Sequence, residues 1–149
     1  MIKLLRTDAN NPDFKELIIL LDAGLAITDG EDHTFYSQFN KVDHIKYVII
    51  AYENSKAVAC GAIKKYDENT MEVKRMFTSP ESRGKGLASM ILAELQNWAK
   101  EMDYKRCILE TGIRQKEAVS LYNKTGFILI PNYGQYEGIE NSICFEKTL

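Results

Sequence analysis

The residues with the clearest chemical potential form a loop, Arg83-Gly84-Lys85-Gly86-Leu87-Ala88, between a β-rich run and a long segment of helical periodicity. The first N–H groups of a helix have no partner inside it and lie at the positive end of its dipole. Gly84 and Gly86 let the backbone approach a ligand closely, and Arg83 and Lys85 add positive charge. These features meet the requirements of a pyrophosphate site, although two glycines alone also fit a simple tight connection. The spacing is neither GxxxxGK[ST] nor GxGxxG, so neither an ATP-type P-loop nor a dinucleotide-binding turn is indicated.

The elements before this loop predict a short strand, two helices and a meander. Residues 2–6 form a short strand candidate, and a helix capped from Asn11 begins at Pro12 and runs to about Gly24. A weaker helical stretch follows at 31–44. Three β-rich runs joined by turns predict consecutive antiparallel strands, at 47–52, 57–66 and 71–78.

The elements after the loop alternate between helix and strand. A long helix is predicted at 86–102, and Gly126 ends a second helix at 115–125. Three short strands complete the pattern, at 107–110, 127–130 and 142–146. A meander followed by βαβ-like units predicts an α/β (α+β) fold with a mixed sheet and helices on its faces.

The composition predicts one soluble domain covering residues 1–149. The chain has 149 residues, of which 45% are hydrophobic, and 19 basic against 21 acidic residues give a formal net charge of -2. This balance argues against a nucleic-acid or anionic-membrane surface, and no apolar run reaches the roughly 20 residues that span a bilayer. Three separated cysteines and two histidines argue against a metal site and fit a reducing cytoplasm. Residues 1–8 turn polar too quickly for a signal peptide.

Several motifs resemble those of the GNAT (GCN5-related N-acetyltransferase) family. Arg83-x-x-Gly86-x-Ala88 resembles the R/Q-x-x-G-x-G/A acyl-CoA loop, and it follows the strand end Met76-Phe77-Thr78-Ser79-Pro80 as in that family. Ala118-Val119-Ser120-Leu121-Tyr122-Asn123-Lys124-Thr125-Gly126-Phe127 resembles the family's A-x-x-L-Y-x-x-x-G-F segment. The motifs cover about residues 71–130.

The resemblance implies a mostly antiparallel sheet of six to seven strands with about four helices, opened in a V between the fourth and fifth strands. It also implies acetyl-CoA as co-substrate and no metal. The pantetheine arm would lie along Met76, Phe77 and Thr78, and the pyrophosphate would sit on residues 83–88 (Arg83, Gly84, Lys85, Gly86, Leu87 and Ala88). Gln115 would contact the pantetheine or phosphate, although the asparagine frequent in this family segment is not evident here.

Tyr122 and Glu72 are the catalytic residues that the resemblance implies. Tyr122 matches the family's general acid, which protonates the departing CoA sulfur, and a phenol has a pKa near that of a thiol. Glu72, in the strand before the loop, resembles the general base of histone-type members. Strand alternation would place Glu72, Lys74, Met76 and Thr78 on one face. A water chain or Glu110 is the alternative base, and a core tyrosine and a solvated carboxylate are the structural alternatives.

The acceptor site is expected on the side opposite CoA. Glu110 could orient the amine, and Arg75 and Arg114 could pair with a substrate carboxylate or form structural ion pairs. Tyr36 and Tyr133 are candidate aromatic walls. A small amine or amino-acid-like acceptor, a protein N-terminus or lysine, and a non-catalytic acyl-CoA sensor remain open.

The run Ile143-Cys144-Phe145 looks like an exposed edge that permits a homodimer through strand pairing, without requiring one.

Overall fold

A computed structural model describes residues 1–30 and 45–149. It contains seven strands and, in those ranges, three α-helices. The strands are β1 (Ile2–Thr7), β2 (Tyr47–Glu53), β3 (Lys56–Asp67), β4 (Thr70–Thr78), β5 (Arg106–Gly112), β6 (Ile128–Ile130) and β7 (Ser142–Thr148). The helices are α1 (Pro12–Asp29), α2 (Leu87–Glu101) and α3 (Lys116–Lys124). The predicted helical stretch at 31–44 lies outside the described residues.

All seven strands belong to one sheet, in the order β1-β2-β3-β4-β5-β7-β6. Every neighbouring pair is antiparallel except β4 and β5, which run parallel. The mixed, mostly antiparallel sheet predicted from the element order is therefore confirmed, with seven strands. Parallel neighbours need a crossover, and here α2 supplies it between β4 and β5.

Two hydrophobic clusters cover the two faces of the meander. Ile91, Leu95 and their neighbours on α2 pack against β2, β3 and β4, in a cluster that extends to α3 and β7. Phe14 and Leu17 of α1 pack against the other face of β2 and β3. The Asn11 side chain caps α1 by accepting from the backbone N–H groups of Asp13 and Phe14, as the sequence predicts.

Helix α1 continues five residues past Gly24, the expected end. A single glycine inside a helix costs only about 1 kcal/mol relative to alanine, so packing of the apolar face can carry the helix through it. Gly30, with φ +56°, lies at the C-terminal end instead.

Strand β7 is not an edge of the sheet, so that part of the sequence interpretation is wrong. It lies between β5 and β6, and Ile130 of β6 pairs opposite Cys144. Cys144 and Phe145 are buried. The short strand β6 was expected to follow α3, but its pairing partner cannot be deduced from the sequence.

No helix in the described ranges is long and apolar enough to cross a membrane.

Candidate active site

An opening forms where the two parallel strands part. Strands β4 and β5 pair only from Thr70 to Glu72 on one side and from Arg106 to Ile108 on the other. Beyond these residues the strands diverge toward their carboxyl ends. A cavity of about 390 Å³ fills the divergence and continues to the start of α2. The V-shaped opening between the fourth and fifth strands is therefore present.

A bulge in β4 shapes one wall of this cavity. Lys74 pairs opposite Ala62 and Phe77 opposite Cys60, so two residues, Arg75 and Met76, face the single residue Gly61. Arg75 has a left-handed backbone with φ +60°, which is uncommon outside glycine. A bulge leaves its extra residue outside the regular hydrogen-bond ladder. Backbone groups of this stretch are thereby made available to the cavity.

The bulge also corrects the predicted alternation. Met76 packs with the α2 cluster, whereas Lys74 pairs opposite Ala62, which packs in the α1 cluster, and Glu72 lies on the same face two residues earlier. Arg75 also lies on the α1 face, where it pairs with Asp22. The expectation that Glu72, Lys74 and Met76 share one face is wrong because one extra residue reverses the alternation beyond it.

The glycine loop leads from the 3₁₀ turn at residues 80–82 to the first turn of α2. Gly84 and Gly86 both have left-handed backbones, with φ +81° and +80°. A Cβ built on either glycine would meet no described atom within 4 Å, so both open onto free space. Gly86 is the N-cap residue of α2, and no side chain of the described residues caps this helix. The N-terminal N–H groups therefore point toward the cavity mouth without a side-chain acceptor.

The two basic side chains of the loop are held differently. Arg83 lines the cavity, and its Nε donates to the carbonyl oxygen of Thr78 at 3.0 Å. Lys85 does not line the cavity, because its ammonium group pairs with the Glu53 carboxylate at 3.1 Å. Lys85 thus neutralises the charge of Glu53, the last residue of β2.

Tyr122 lies on α3 and reaches the cavity from the second wall. It is only 5% exposed, and its ring contacts Phe127 edge-on and Phe145 at a tilt. Burial raises the pKa of Tyr122 above its ordinary value, and the charge of Glu110 raises it further. The phenol therefore keeps its proton at neutral pH and can act as a proton donor.

The end of α3 is fixed by contacts that hold Tyr122 in place. The amide of Phe127 donates to the Tyr122 carbonyl oxygen at 3.1 Å, and Gly126 between them has φ +91°. Lys147 of β7 donates from its ammonium group to the Thr125 carbonyl oxygen at 2.7 Å. A cation at a helix C-terminus also complements the helix dipole.

The two candidate carboxylates have different surroundings. Glu110, near the end of β5, lines the cavity together with Tyr122. Glu72 is 8% exposed and does not line the cavity. Its carboxylate accepts from the Tyr133 hydroxyl at 2.6 Å and lies 3.8 Å from the Lys74 ammonium group. Burial and the nearby Glu72 raise the pKa of Tyr133, so this phenol stays a hydrogen-bond donor to Glu72.

The structure brings most of the predicted site residues together. Those that line the cavity are Met76, Phe77, Thr78, Arg83, Gly84, Gly86, Leu87, Ala88, Glu110, Gln115 and Tyr122. Those that do not are Glu72, Lys85, Arg114 and Tyr133. Arg114 instead lies beside Gly30, at the C-terminal end of α1. Tyr36 lies outside the described residues.

Other cavity residues were not expected from the sequence. Leu21 and Leu25 of α1 line the cavity, although their helical spacing indicated only a core face. Lys74 also lines it, immediately before the bulge, which no local sequence signal revealed. The remaining unexpected ones are Val73, Ser82, Ser89, Thr111, Gly112, Glu117, Ala118 and Leu121. Arg75, a candidate partner for a substrate carboxylate, lines the cavity as well.

The three cysteines are buried free thiols. Burial raises the pKa of Cys60 and of Cys107 to about 12 and that of Cys144 to about 11. A thiol with such a pKa is almost entirely protonated at neutral pH and is a poor nucleophile. Within residues 1–30 and 45–149, no group of three or more acidic, histidine or cysteine side chains could hold a metal ion.

The architecture is shared with solved acyltransferases. A putative acyl-CoA N-acyltransferase from Klebsiella pneumoniae superposes with a TM-score of 0.84 at 27% identity, covering 100% of this chain and 98% of that one. The PaiA N-acetyltransferase of Thermoplasma acidophilum, solved in complex with coenzyme A, has a TM-score of 0.75 at 17% identity, covering 100% and 99%. The fold and the opened sheet are thus those of the N-acyltransferase class to which these structures belong.

The family follows from the sequence match. The model of the acetyltransferase (GNAT) family matches residues 15–127, so the chain belongs to the GNAT family of N-acetyltransferases. Relatives at 33% identity include YjgM of Escherichia coli, an uncharacterised N-acetyltransferase aligned over 71% of this chain and 64% of its own length. An IAA acetyltransferase of Azospirillum brasilense is 33% identical, over 68% of this chain and 67% of the relative. YsnE of Bacillus subtilis, also an uncharacterised N-acetyltransferase, is 33% identical over 85% and 76%. The chain thus spans just under two thirds of YjgM.

Proposed function

We propose that this protein transfers the acetyl group of acetyl-CoA directly to a primary amine of a small-molecule or amino-acid-like acceptor. The observation that carries this proposal is one continuous cavity lined by the glycine loop, by Tyr122 and by Glu110. A helix N-terminus suited to phosphate, a protonated phenol and a carboxylate all border this one opening in the sheet, which supports the proposal.

The cavity suits a CoA thioester in two respects. Gly84 and Gly86 leave open space at the start of α2, where a Cβ would fill the cradle and where N–H groups can bind a pyrophosphate. Farther in, the Nε2 amide group of Gln115 is buried and has no hydrogen-bond partner among the described residues. A buried donor of this kind is normally satisfied, and an amide carbonyl of the pantetheine arm would satisfy it.

Three groups of this chain would serve the reaction. Acetyl-CoA supplies an activated acyl group with a thiolate leaving group. Tyr122 holds a proton that it can give to the sulfur, and Glu110 can take the proton of the amine directly or through a water molecule. Backbone N–H groups at the β4 bulge are the candidate donors for the negative charge that develops on the thioester oxygen.

Glu110 is a better base candidate than Glu72. Glu72 is engaged by Tyr133 and Lys74 and does not reach the cavity lining, whereas Glu110 does. A base must come within hydrogen-bond reach of the proton it removes, directly or through one water. We therefore assign Glu72 to the support of the site and Glu110 to the proton transfer.

The test is thiol release from acetyl-CoA over a panel of acceptors, with acetyl-CoA binding measured by calorimetry on the same preparation. The panel contains amino acids, polyamines, peptides with free N-termini or lysines, and IAA, because one relative is named an IAA acetyltransferase. We expect saturable acetyl-CoA binding and thiol release with at least one small amine. Transfer to peptides alone would favour protein acetylation, and binding without any thiol release would favour a sensor. Absence of acetyl-CoA binding at millimolar concentration would overturn the proposal.

A further inference from the structure

The bulge in β4 brings two adjacent cations to the wall of the cavity. Lys74 and Arg75 both line the cavity, just beyond Glu72, the last β4 residue paired with β5. Lys74 points to the α1 face of the sheet in the regular alternation. Arg75 follows it on the same face because its left-handed backbone breaks that alternation. Two consecutive residues of a regular strand would point to opposite faces.

Arg75 is a buried guanidinium group with an unused donor. Its side chain is 1% exposed, and its Nη2 donates to the Asp22 carboxylate at 2.6 Å. Its Nε is buried and has no hydrogen-bond partner among the described residues. Because arginine stays charged and leaving such a donor unsatisfied costs about 1–3 kcal/mol or more, this N–H is suited to an anion that enters the cavity.

Lys74 is a second cation beside it. Its side chain is 11% exposed, and its ammonium group lies 3.8 Å from the Glu72 carboxylate. That carboxylate also accepts the short hydrogen bond from Tyr133. Burial lowers the pKa of Lys74, and the charge of Glu72 opposes this shift.

The cavity residues on β5 and α1 complement these two cations. Glu110 on β5 faces the same cavity and can receive an ammonium group, while Leu21 and Leu25 of α1 supply apolar surface. Cations on β4, a carboxylate on β5 and leucines on α1 suit a molecule that carries both an amine and an anion.

We propose that the acceptor carries a carboxylate in addition to its primary amine, and that Arg75 and Lys74 bind this carboxylate from the β4 bulge. The inference rests on the proposed function and narrows its acceptor to amino acids and related amino-carboxylates. Arg75 Nε would donate one hydrogen bond to the carboxylate and the Lys74 ammonium group another. Charge-assisted bonds of this kind are roughly twice as strong as neutral ones.

The experiment compares each acid with its own amide. The probes are the amino acids, β-alanine, 4-aminobutyrate and glycyl dipeptides, each beside its C-terminal amide, titrated calorimetrically into the protein saturated with CoA. We expect at least one acid to bind at least ten-fold more tightly than its amide. Equal affinities for every acid and amide, or no binding by any probe, would overturn the inference.

Two variants separate a carboxylate subsite from a merely structural ion pair. Lys74→Met, which keeps the length of the side chain, should remove most of the preference for the acid and leave the affinity for the amide within two-fold. Lys74→Arg should restore the preference. If Lys74→Met weakens acid and amide equally, or changes neither, Lys74 does not bind the carboxylate and the inference fails.

Arg75 is tested with a conservative substitution because its side chain, which pairs with Asp22, is buried. Arg75→Lys keeps a cation but lacks the Nε–H, so it should lower the affinity for the acid and spare that for the amide. Circular dichroism establishes that each variant is folded. Thiol release is scored separately: selective binding of acids without thiol release would contradict the proposed function and leave the carboxylate subsite standing.

Discussion

At the scale of single residues, the site combines groups whose roles are set by their surroundings. Tyr122 is buried and lines the cavity, whereas Tyr133 is half-buried and its hydroxyl donates to Glu72. The same contrast separates the two carboxylates, since Glu110 faces the cavity and Glu72 is held at its edge.

The carboxylates give a prediction at this scale. Glu110→Gln removes the proposed base without changing the size of the side chain, so kcat/KM should fall by about 10²-fold, the lower end of the range for a general base. Glu72→Gln should lower kcat/KM by less than about ten-fold, because the glutamine amide oxygen can still accept from Tyr133. The measurement is the thiol-release rate for both variants at saturating acetyl-CoA. A larger loss in the Glu72 variant would reverse the assignment of the base.

The sequence predicts some residues of the site better than others. Tyr122, Arg83 and Gly86 lie in motifs with fixed spacing, so a resemblance could find them, and they line the cavity. Lys74 was not among the predicted site residues. The bulge brings Arg75 beside Lys74 on one face of the sheet, and arginine is a residue type that gives no local signal for a left-handed backbone.

At the scale of elements, the start of α2 is the best-defined candidate for binding phosphate. Gly86 caps the helix in a left-handed conformation with open space in front of it. A Cβ placed there would have no described atom within 4 Å, and it would occupy the position proposed for the pyrophosphate.

The prediction for this element uses two matched glycines. Gly86→Val and Gly138→Val both put a β-branched residue at positive φ, at +80° and +76°, and both have open space around the new Cβ. Each should lose about 1–2 kcal/mol of stability from the left-handed backbone. Only Gly86→Val should weaken CoA binding, by at least ten-fold in calorimetry, because Gly138 does not line the cavity. Equal CoA affinities for the two variants would place the phosphate site elsewhere.

The β4 bulge depends on a glycine in the neighbouring strand. A Cβ on Gly61 would lie 2.4 Å from Met76 Sδ and 2.8 Å from Ile91 Cγ2, so the bulged residue crosses over this position. Gly61 is thus required by close approach rather than by its own backbone conformation.

Gly61→Ala is therefore expected to lower the free energy of unfolding by about 1–3 kcal/mol, as overpacking of a core does. Because Met76 lines the cavity, the KM for acetyl-CoA should rise as well. The control is Gly24→Ala within α1, where no described atom lies within 4 Å and alanine should stabilise the helix by about 0.5–1 kcal/mol. Urea denaturation measures both. A neutral Gly61→Ala would show that Met76 and Ile91 can move aside freely.

Elements were predicted better than their pairing. The order of strands and helices follows from periodicity, capping and turns, and the predicted strands and all three described helices are present. Pairing of β7 between β5 and β6 was missed because a short apolar strand such as Ile143-Cys144-Phe145 looks the same at an edge and inside a sheet.

At the scale of the whole molecule, the sheet is continuous where β4 and β5 pair. It opens where these two strands diverge toward their carboxyl ends. The α2 side and the α3 side meet through the parallel strands β4 and β5, which pair over three residues each. A ligand that fills the divergence touches both sides and should stabilise the fold as one unit.

Acetyl-CoA is accordingly expected to raise the thermal midpoint of unfolding. At 100 times its Kd, a ligand that binds only the folded state adds about 2.7 kcal/mol. For a chain of this size about 2–4 °C accompanies each kcal/mol, so the midpoint should rise by about 5–10 °C in differential scanning calorimetry. Acetate at the same concentration is the control and should produce no shift. A shift of equal size in the Gly86→Val variant would contradict binding at the loop.

The most direct measurement of the central claim is the turnover of Tyr122→Phe. Because burial and Glu110 raise the pKa of Tyr122 above its ordinary value of about 10, the wild-type phenol stays protonated, and its own titration should not lower kcat between pH 7 and 9.5. Removing the hydroxyl should lower kcat by about 10²-fold or more across this range while the Kd of CoA stays within about two-fold. Tyr47→Phe, on a ring that packs against Trp98, is the control and should leave kcat unchanged. A Tyr122→Phe variant with wild-type kcat would contradict proton donation from Tyr122 and the mechanism built on it.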